Sequence, residues 1–208
     1  RSFPARDGKF FLNGKPYFLF GAGSPPHYEN PPEAVARAQL QALKQAGVRM
    51  VRFAHEPPAE FWLKICDELG LLAWIEGPLY ADDGPYDLAN PAFIDQASQE
   101  MTAIIRSLRS HPSAVIWSMG AGNCMSAARV DEGFRNATTA ALENLVKSCS
   151  RFLPSPAYVV MPDSDNRGLL PSAVEDWHVD SGWYEGRLAD WLPFLRQWTP
   201  LRKGGNAA

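Results

Sequence analysis

Three polar side chains that could bind a ligand follow two apolar segments of the chain. Arg52 and His55 lie at the end of a short β-branched run, and Glu76 follows the next apolar run. A guanidinium, an imidazole and a carboxylate can together make several hydrogen bonds to one polar ligand. Barrel proteins place their sites at strand ends, so these residues predict a binding site at one edge of a sheet. Each side chain could instead be satisfied by its own loop.

A second candidate is the segment His111 to Cys124, in which an apolar run leads into a small, glycine-rich stretch. Pro112 ends the preceding helix, because proline disfavours the helical conformation for the residue before it. The run Ala114 to Trp117 predicts a buried strand in which the indole packs in the core. Ser118 to Cys124 then predicts a loop that a ligand could approach closely.

Four aromatic side chains form a third candidate, near the end of the chain where periodic patterns are weak. Their faces could stack on a flat or ring-shaped ligand, or they could pack beneath a long loop, since tryptophan and tyrosine serve both uses. These residues are Trp177, His178, Trp183 and Tyr184.

Composition predicts one globular domain across residues 1–208, with 46% hydrophobic and 21% charged residues. The net charge is -3 and the basic residues are scattered, so neither nucleic acid nor an anionic membrane is a favoured partner. Cys66, Cys124 and Cys149 are odd in number and far apart, which fits neither a disulfide framework nor a metal-ligand pattern. The cysteines therefore do not indicate whether the protein works in an oxidising or a reducing compartment.

The elements that would position these candidates alternate between strands and helices. Helical spacing of apolar residues predicts helices over 33–46, 61–69 and 91–108, with left-handed glycines closing the first two and an Asn90-Pro91 start for the third. A further helix is expected up to Arg151, and another around 188–197. Strands are predicted at 16–20, 48–53, 71–75, 114–117, 157–161 and 173–178.

Alternating strands and helices imply a parallel sheet with helices on its faces, either as a barrel or as an open, doubly wound sheet. The segment Gly21 to Pro26 has prolines where a phosphate-binding helix should begin, which favours the barrel. We therefore predict an α/β fold of the (β/α)8 barrel type, incomplete, with about six of the eight units. Its open edges predict self-association or covering by other segments.

Four ordered motifs are specific enough to suggest a family. They are Phe10-Phe11-Leu12-Asn13-Gly14-Lys15-Pro16, Val51-Arg52-Phe53-Ala54-His55, Cys66-Asp67-Glu68-Leu69-Gly70-Leu71, and His111-Pro112-Ser113 with Trp117-Ser118-Met119-Gly120. Together they resemble the catalytic barrel of glycoside hydrolase family 2, of the β-galactosidase, β-glucuronidase and β-mannosidase type. The resemblance covers most of residues 1–119 and, more loosely, 175–198.

This resemblance implies a (β/α)8 barrel that hydrolyses β-glycosides with retention and without a cofactor. The family uses a Glu acid/base after the fourth strand and a Glu nucleophile at the end of the seventh, because one group must protonate the leaving oxygen while the other attacks the anomeric carbon. The residues expected to bind the sugar are Arg52, His55, Glu76, Asn123, His178, Trp183 and Tyr184.

The chain departs from the family at both catalytic positions. Family members read Trp-Ser-Leu-Gly-Asn-Glu at the fourth strand, whereas this chain continues from Gly120 as Ala121-Gly122-Asn123-Cys124. Without a gap, Gly122 replaces the Glu; with a two-residue insertion, Asn123 is kept and Cys124 replaces it. A thiol of ordinary pKa, about 8.5, is a poor proton donor to a glycosidic oxygen. The nucleophile strand is expected only after Trp198.

We therefore expect a domain of a larger, multidomain glycosidase that lacks intact catalytic residues and is inactive as this chain. One alternative is a non-catalytic barrel that binds carbohydrate or serves a structural role. A less favoured alternative is a metal-dependent hydrolase, in which His27, His55, Glu76 and His178 gather around a metal ion at the barrel mouth.

Overall fold

The computed structural model describes residues 2–6, 9–25, 27–80, 90–121, 140, 143–153, 158–162, 174–176, 187–190 and 192–193. The helices are α1 (Glu33–Gln45), α2 (Glu60–Leu69) and α3 (Pro91–Leu108); residues 143–150 are also helical, and Leu188–Asp190 form a 3-10 turn. The strands are β1 (Ala5–Arg6), β2 (Lys9–Leu12), β3 (Lys15–Tyr17), β4 (Gly21–Gly23), β5 (Met50–Phe53), β6 (Leu72–Tyr80), β7 (Ala114–Ala121), β8 (Tyr158–Pro162) and β9 (Val174–Asp176).

The larger sheet contains six strands in the described ranges, in the order β4-β5-β6-β7-β8-β9. Every neighbouring pair is parallel and follows the chain order. α1, α2 and α3 connect β4 to β5, β5 to β6 and β6 to β7. The predicted alternation of strands and helices around a parallel sheet is therefore confirmed.

The first strand of that sheet differs from the one that the sequence predicts. Residues 16–20 were expected to form it, but Lys15–Tyr17 pair antiparallel with β2, and the sheet begins at Gly21–Gly23. Asn13 and Gly14 join the hairpin strands with φ angles of 50° and 82°. Positive φ at both central residues is the geometry of a tight hairpin turn, so local pairing claims residues 15–17.

The small sheet formed by β1, β2 and β3 covers the amino ends of the parallel strands. Phe3 and Phe10 stack with ring centroids 5.1 Å apart and share one buried cluster with Met50, Leu72 and Ile116. Met50 and Leu72 are the first residues of β5 and β6. The antiparallel sheet therefore closes the inner face of the parallel sheet at this end.

The two faces of the parallel sheet bury different side chains. The outer face packs on the helices in the larger apolar cluster, to which Val51, Phe53, Ala73, Ile75 and Trp117 contribute. Burial of the Trp117 side chain, which is 0% exposed, confirms its predicted core position. Because side chains alternate along a strand, the intervening residues face inward. They are Met50, Arg52, Leu72, Trp74, Glu76, Ile116 and Ser118.

The helix ends follow the predicted capping signals. The Asn90 side chain accepts a hydrogen bond of 3.0 Å from the Ala92 N–H, with Pro91 at the first helical position. Gly47 and Gly70 have φ angles of 88° and 70°, the left-handed conformation expected after α1 and α2.

Two strands extend beyond their predicted ends, at the edge where a site was expected. β6 continues past Glu76 to Tyr80, with an irregular register between Glu76 and Leu79, and β7 continues to Ala121. A Cβ atom on Gly77 would lie 2.8 Å from the Met101 sulfur and 3.0 Å from the Met119 carbonyl oxygen. Glycine permits this close approach, so the Gly-Pro sequence marks an irregular strand rather than its end.

Candidate functional site

The predicted residues Arg52 and Glu76 meet at the carboxyl ends of β5 and β6. Arg52 is the third residue of β5, and Glu76 extends from the same face of β6. The Arg52 Nε–H donates to Glu76 Oε1 over 2.5 Å, and the Nη2 group of the same guanidinium also contacts that oxygen. Glu76 is fully buried, while the Arg52 side chain is 26% exposed. The arginine therefore covers the carboxylate.

The second oxygen of Glu76 holds the backbone at His55. The His55 N–H donates to Glu76 Oε2 over 2.7 Å. His55 has a φ of 72°, a left-handed conformation that is uncommon outside glycine. Its ring is half exposed, with Nδ1 3.8 Å from the same oxygen. Glu76 thus fixes both the guanidinium of Arg52 and the turn that carries the His55 ring.

Two further residues belong to this site that the sequence did not single out as binding residues. The Arg52 guanidinium lies over the Trp74 ring, 4.9 Å from its centroid. Ser118, which is 1% exposed, pairs in register with Glu76 across β6 and β7. Inward-facing positions two residues before Glu76, and opposite it on the next strand, were the signal that could have identified them.

The other predicted positions lie outside the described residues. Gly122 and Cys124, the two candidates for the acid/base position, follow the described part of β7, which ends at Ala121. Of the proposed sugar-binding residues, the same holds for Asn123, His178, Trp183 and Tyr184.

The described residues give no support to the metal alternative. Both ring nitrogens of His27 are within 2.8 Å of protein oxygens, one of Ser24 and one of Glu56. Both oxygens of Glu76 also accept protein hydrogen bonds. Within the part of the chain that the structure describes, no three His, Cys, Asp or Glu side chains are grouped so that they could hold a metal ion. His178, the fourth proposed ligand, lies outside that part.

The arrangement at the mouth suits binding more than proton transfer. Trp74 lies beneath Arg52, and Glu76 lies behind it. The partly exposed Arg52 and His55 side chains can present nitrogen atoms to a ligand at the edge of the sheet. A guanidinium that is already oriented by a carboxylate and an indole loses little side-chain entropy on binding.

A second carboxylate, Asp67, joins α2 to the start of β7 at the opposite end of the sheet. Its Oδ2 lies 2.7 Å from His111 Nδ1, and its Oδ1 accepts the Ser113 N–H over 2.8 Å. His111 is 8% exposed and its Nε2 lies 3.8 Å from Glu60 Oε1. Two of the motifs behind the family resemblance, Cys66 to Leu71 and His111 to Ser113, therefore contact each other directly.

Beside Asp67 lies the buried, free thiol of Cys66. Burial and the neighbouring Asp67 charge raise its pKa from 9.0 to about 12. Burial also raises the pKa of the Cys149 thiol, whose sulfur lies 3.7 Å from Thr102 Oγ1. A raised pKa disfavours the thiolate, which is the form of cysteine that binds metal ions and acts as a nucleophile.

A parallel β/α sheet with polar side chains at its carboxyl ends defines a barrel-type domain with the architecture of many enzymes. The chain belongs to a family within that class: residues 3–148 match the model of glycosyl hydrolases family 2, TIM barrel domain. The family resemblance and the incomplete α/β barrel predicted from the sequence are both confirmed.

Relatives and solved structures agree with this membership. A putative β-glucuronidase from Formosa agariphila is 35% identical over 117 residues, which cover 54% of this chain and 14% of that protein. A β-galactosidase from Enterobacter cloacae is 30% identical over 128 residues, covering 55% of this chain and 12% of its own length. The crystal structure of Bacteroides uniformis β-glucuronidase superposes with a TM-score of 0.80 at 25% identity, over 99% of this chain and 26% of that one.

The chain therefore spans a small part of the length of these relatives. Among the helices in the ranges given above, none combines the length and apolar character that crossing a membrane requires.

Proposed function

We propose that this glycoside hydrolase family 2 domain binds a β-linked sugar at the carboxyl ends of its strands and does not perform the acid/base step. Arg52 and His55 contact the sugar, and Glu76 orients both. The similar proteins are named for β-glucuronides and β-galactosides. These two sugar classes are therefore the first ligands to test.

The observation that carries the binding proposal is the three-residue arrangement at the mouth. A fully buried carboxylate accepts hydrogen bonds from the Arg52 side chain and the His55 backbone. A buried carboxylate is costly to desolvate unless it is paired. The Arg52 and His55 side chains stay partly exposed at this strand edge, at 26% and 50%, and guanidinium and imidazole groups can donate to sugar hydroxyl or carboxylate oxygens.

The second half of the proposal concerns residues that the sequence places after β7. A retaining glycosidase needs a carboxylic acid that protonates the leaving oxygen. The sequence from Gly120 to Cys124 contains no carboxylic acid in either alignment. Glu76 is a poor substitute, because both of its oxygens already accept hydrogen bonds from the protein.

Calorimetry on the 208-residue chain with a β-glucuronide and a β-galactoside tests the binding proposal. We expect a dissociation constant in the millimolar range or tighter, and a loss of about tenfold or more in Arg52→Ala, because a hydrogen bond to a charged group contributes about 1.5–3 kcal/mol. Arg37→Ala is the matched control, since Arg37 pairs with Glu33 and Glu68 on the outer helices. No binding of either sugar at millimolar concentration would contradict the proposal.

Chromogenic β-glycosides test the missing acid step separately. We expect no turnover above background for the unmodified chain. Gly122→Glu and Cys124→Glu place a carboxylic acid at the two candidate positions, and we expect no turnover in either variant, because the retaining mechanism needs a nucleophile as well as an acid and no intact nucleophile is expected in this chain. Turnover by the unmodified chain that Arg52→Ala abolishes would show that the domain has another acid and would overturn this half.

A further inference from the structure

His27 occupies a buried position between the loops that follow β4 and β5. It is 3% exposed, and its ring packs edge-on against Phe53 with centroids 5.3 Å apart. Nδ1 lies 2.8 Å from Ser24 Oγ, and Nε2 lies 2.8 Å from the backbone carbonyl oxygen of Glu56. The ring therefore bridges the end of β4 and the loop that contains His55.

The partners of the two nitrogens fix the tautomer of a neutral His27 ring. A backbone carbonyl oxygen only accepts hydrogen bonds, so Nε2 must carry the proton that it shares with Glu56. Nδ1 then has only a lone pair, and the Ser24 hydroxyl must donate to it. Ser24 is itself held, because its N–H donates to the Arg52 carbonyl oxygen over 2.8 Å. The imidazole is thus oriented from both sides.

Two buried side chains therefore form hydrogen bonds with adjacent residues of one short backbone segment. Glu76, on β6, accepts the N–H of His55, and His27, after β4, donates to the carbonyl oxygen of Glu56. Between these contacts lies the left-handed conformation of His55, which costs free energy in a residue with a Cβ atom. A strained conformation persists only where surrounding contacts enforce it.

We propose that His27 is a positioning residue that holds the segment His55–Glu56 in its left-handed turn and so presents the His55 ring to the sugar. The effect on sugar binding rests on the proposed function, whereas the hydrogen bonds by which His27 holds the turn do not. His27 acts through the Glu56 carbonyl, whereas the metal alternative would need its nitrogens for a metal ion.

Two amide substitutions separate this role from general packing. Glutamine carries its side-chain nitrogen about as far from Cα as His Nε2, so His27→Gln can still donate to the Glu56 carbonyl. Asparagine reaches only about as far as Nδ1, so His27→Asn retains the contact with Ser24 and loses the one with Glu56. Both side chains are neutral, and they differ by one methylene group.

Hydrogen exchange of the ligand-free 208-residue chain, followed by nitrogen-15 NMR, provides the first readout. We expect the His55 amide to exchange about tenfold faster or more in His27→Asn and close to the unmodified rate in His27→Gln. The amide of Ile105, in the middle of α3, should exchange at the same rate in all three proteins. The unmodified ring should show the nitrogen-15 shifts of the Nε2–H tautomer.

Sugar affinity, measured by calorimetry, provides the second readout: a loss of about tenfold in His27→Asn, with most of it recovered in His27→Gln. Faster His55 exchange without sugar binding by any of the three proteins would support the positioning role while refuting the proposed function. Unchanged His55 exchange in His27→Asn would overturn the inference. Equal loss of protection at Ile105 and His55 would also overturn it, because His27 would then stabilise the whole fold.

Discussion

Two carboxylates, one at each end of the parallel strands, make the same pattern of contacts but differ in which partner is exposed to solvent. Glu76 accepts from Arg52 with one oxygen and from the His55 N–H with the other. Asp67 contacts the His111 ring with one oxygen and accepts the Ser113 N–H with the other. At the mouth, Glu76 is fully buried and its basic partners are partly exposed. At the opposite end, Asp67 is more exposed than His111.

This difference supports the proposal that a ligand binds at the carboxyl ends of the strands. At the mouth, the carboxylate lies beneath two nitrogen-bearing side chains that reach the surface. At the amino end, the basic ring is buried by the contact that connects α2 to the start of β7. Barrel domains keep binding at the carboxyl ends of their strands and stability at the amino ends. Removal of either carboxylate should therefore lower stability, but only one removal should affect a ligand.

The largest effect is expected from Glu76→Ala. It removes the buried carboxylate to which the Arg52 guanidinium and the His55 N–H donate, and loss of one partner of a buried ion pair costs about 3–5 kcal/mol. Urea denaturation measures the change in unfolding free energy, and calorimetry should show that sugar binding is lost. Glu76→Gln retains an acceptor oxygen and should be destabilised less. An unchanged urea midpoint in Glu76→Ala would refute the role of this carboxylate.

Asp67→Ala sharpens the comparison from the other end. We expect a loss of about 2 kcal/mol in unfolding free energy, because the Ser113 N–H and the His111 ring lose a charged partner. Sugar affinity should stay within about twofold of the unmodified chain, since the site lies at the opposite strand ends. Asp67→Asn, which can still accept from Ser113, is the control. A loss of affinity as large as that in Glu76→Ala would break the distinction between the two ends.

The unfolding free energy should depend on pH through the Cys66 thiol, which lies beside Asp67. Its pKa is raised by burial from 9.0 to about 12, so the thiol ionises first in the unfolded chain. The stabilisation is complete below about pH 9 and is lost as the pH rises towards 12. The expected loss is about 1 kcal/mol per pH unit. Cys66→Ala should flatten this part of the curve, and an identical slope in the variant would contradict the assignment.

The smallest expected effect has opposite signs for stability and binding. His55→Gly removes a left-handed residue that has a Cβ atom, so we expect an increase of about 0.5–1 kcal/mol in unfolding free energy. The same change removes the ring and should weaken sugar binding. His55→Ala keeps the strained backbone and lacks the ring, so it should bind as weakly as His55→Gly without the gain in stability. Equal stabilities of the two variants would show that the turn is not strained.

Elements with strong local signals could be predicted from the sequence. The apolar stripe of α3 and its Asn90-Pro91 start are local, as are the glycines that end α1 and α2. Residues 16–20 were assigned incorrectly to the parallel sheet because they are apolar enough for either sheet, and the turn at Asn13-Gly14 decides the outcome. Likewise, Gly77 resembles a strand end, although it permits a close approach to β7.

The sequence placed Arg52, His55 and Glu76 at strand ends one by one, but it could not predict how they contact one another. The contact between Arg52 and Glu76 depends on the strand register, in which Arg52 pairs with Trp74. A shift of one residue would turn one of the two side chains to the opposite face of the sheet. The left-handed φ of His55 could not be predicted, because the position holds no glycine to indicate it. The hydrogen bond from His27 to the Glu56 carbonyl oxygen joins two loops that are distant in sequence, so hydrophobic periodicity could not predict it.

The antiparallel sheet of β1, β2 and β3 has a practical consequence for anyone who redesigns or shortens this domain. A boundary drawn at Gly21, where the parallel strands begin, would remove Phe3 and Phe10 and expose Met50, Leu72 and Ile116 to water. Any chimera that contains the parallel sheet must therefore also contain residues 3–17. The small sheet lies at the amino ends of the strands, whereas Arg52 and Glu76 lie towards their carboxyl ends, so its outer surface can be altered to fit a new neighbouring domain without substituting residues of the proposed site.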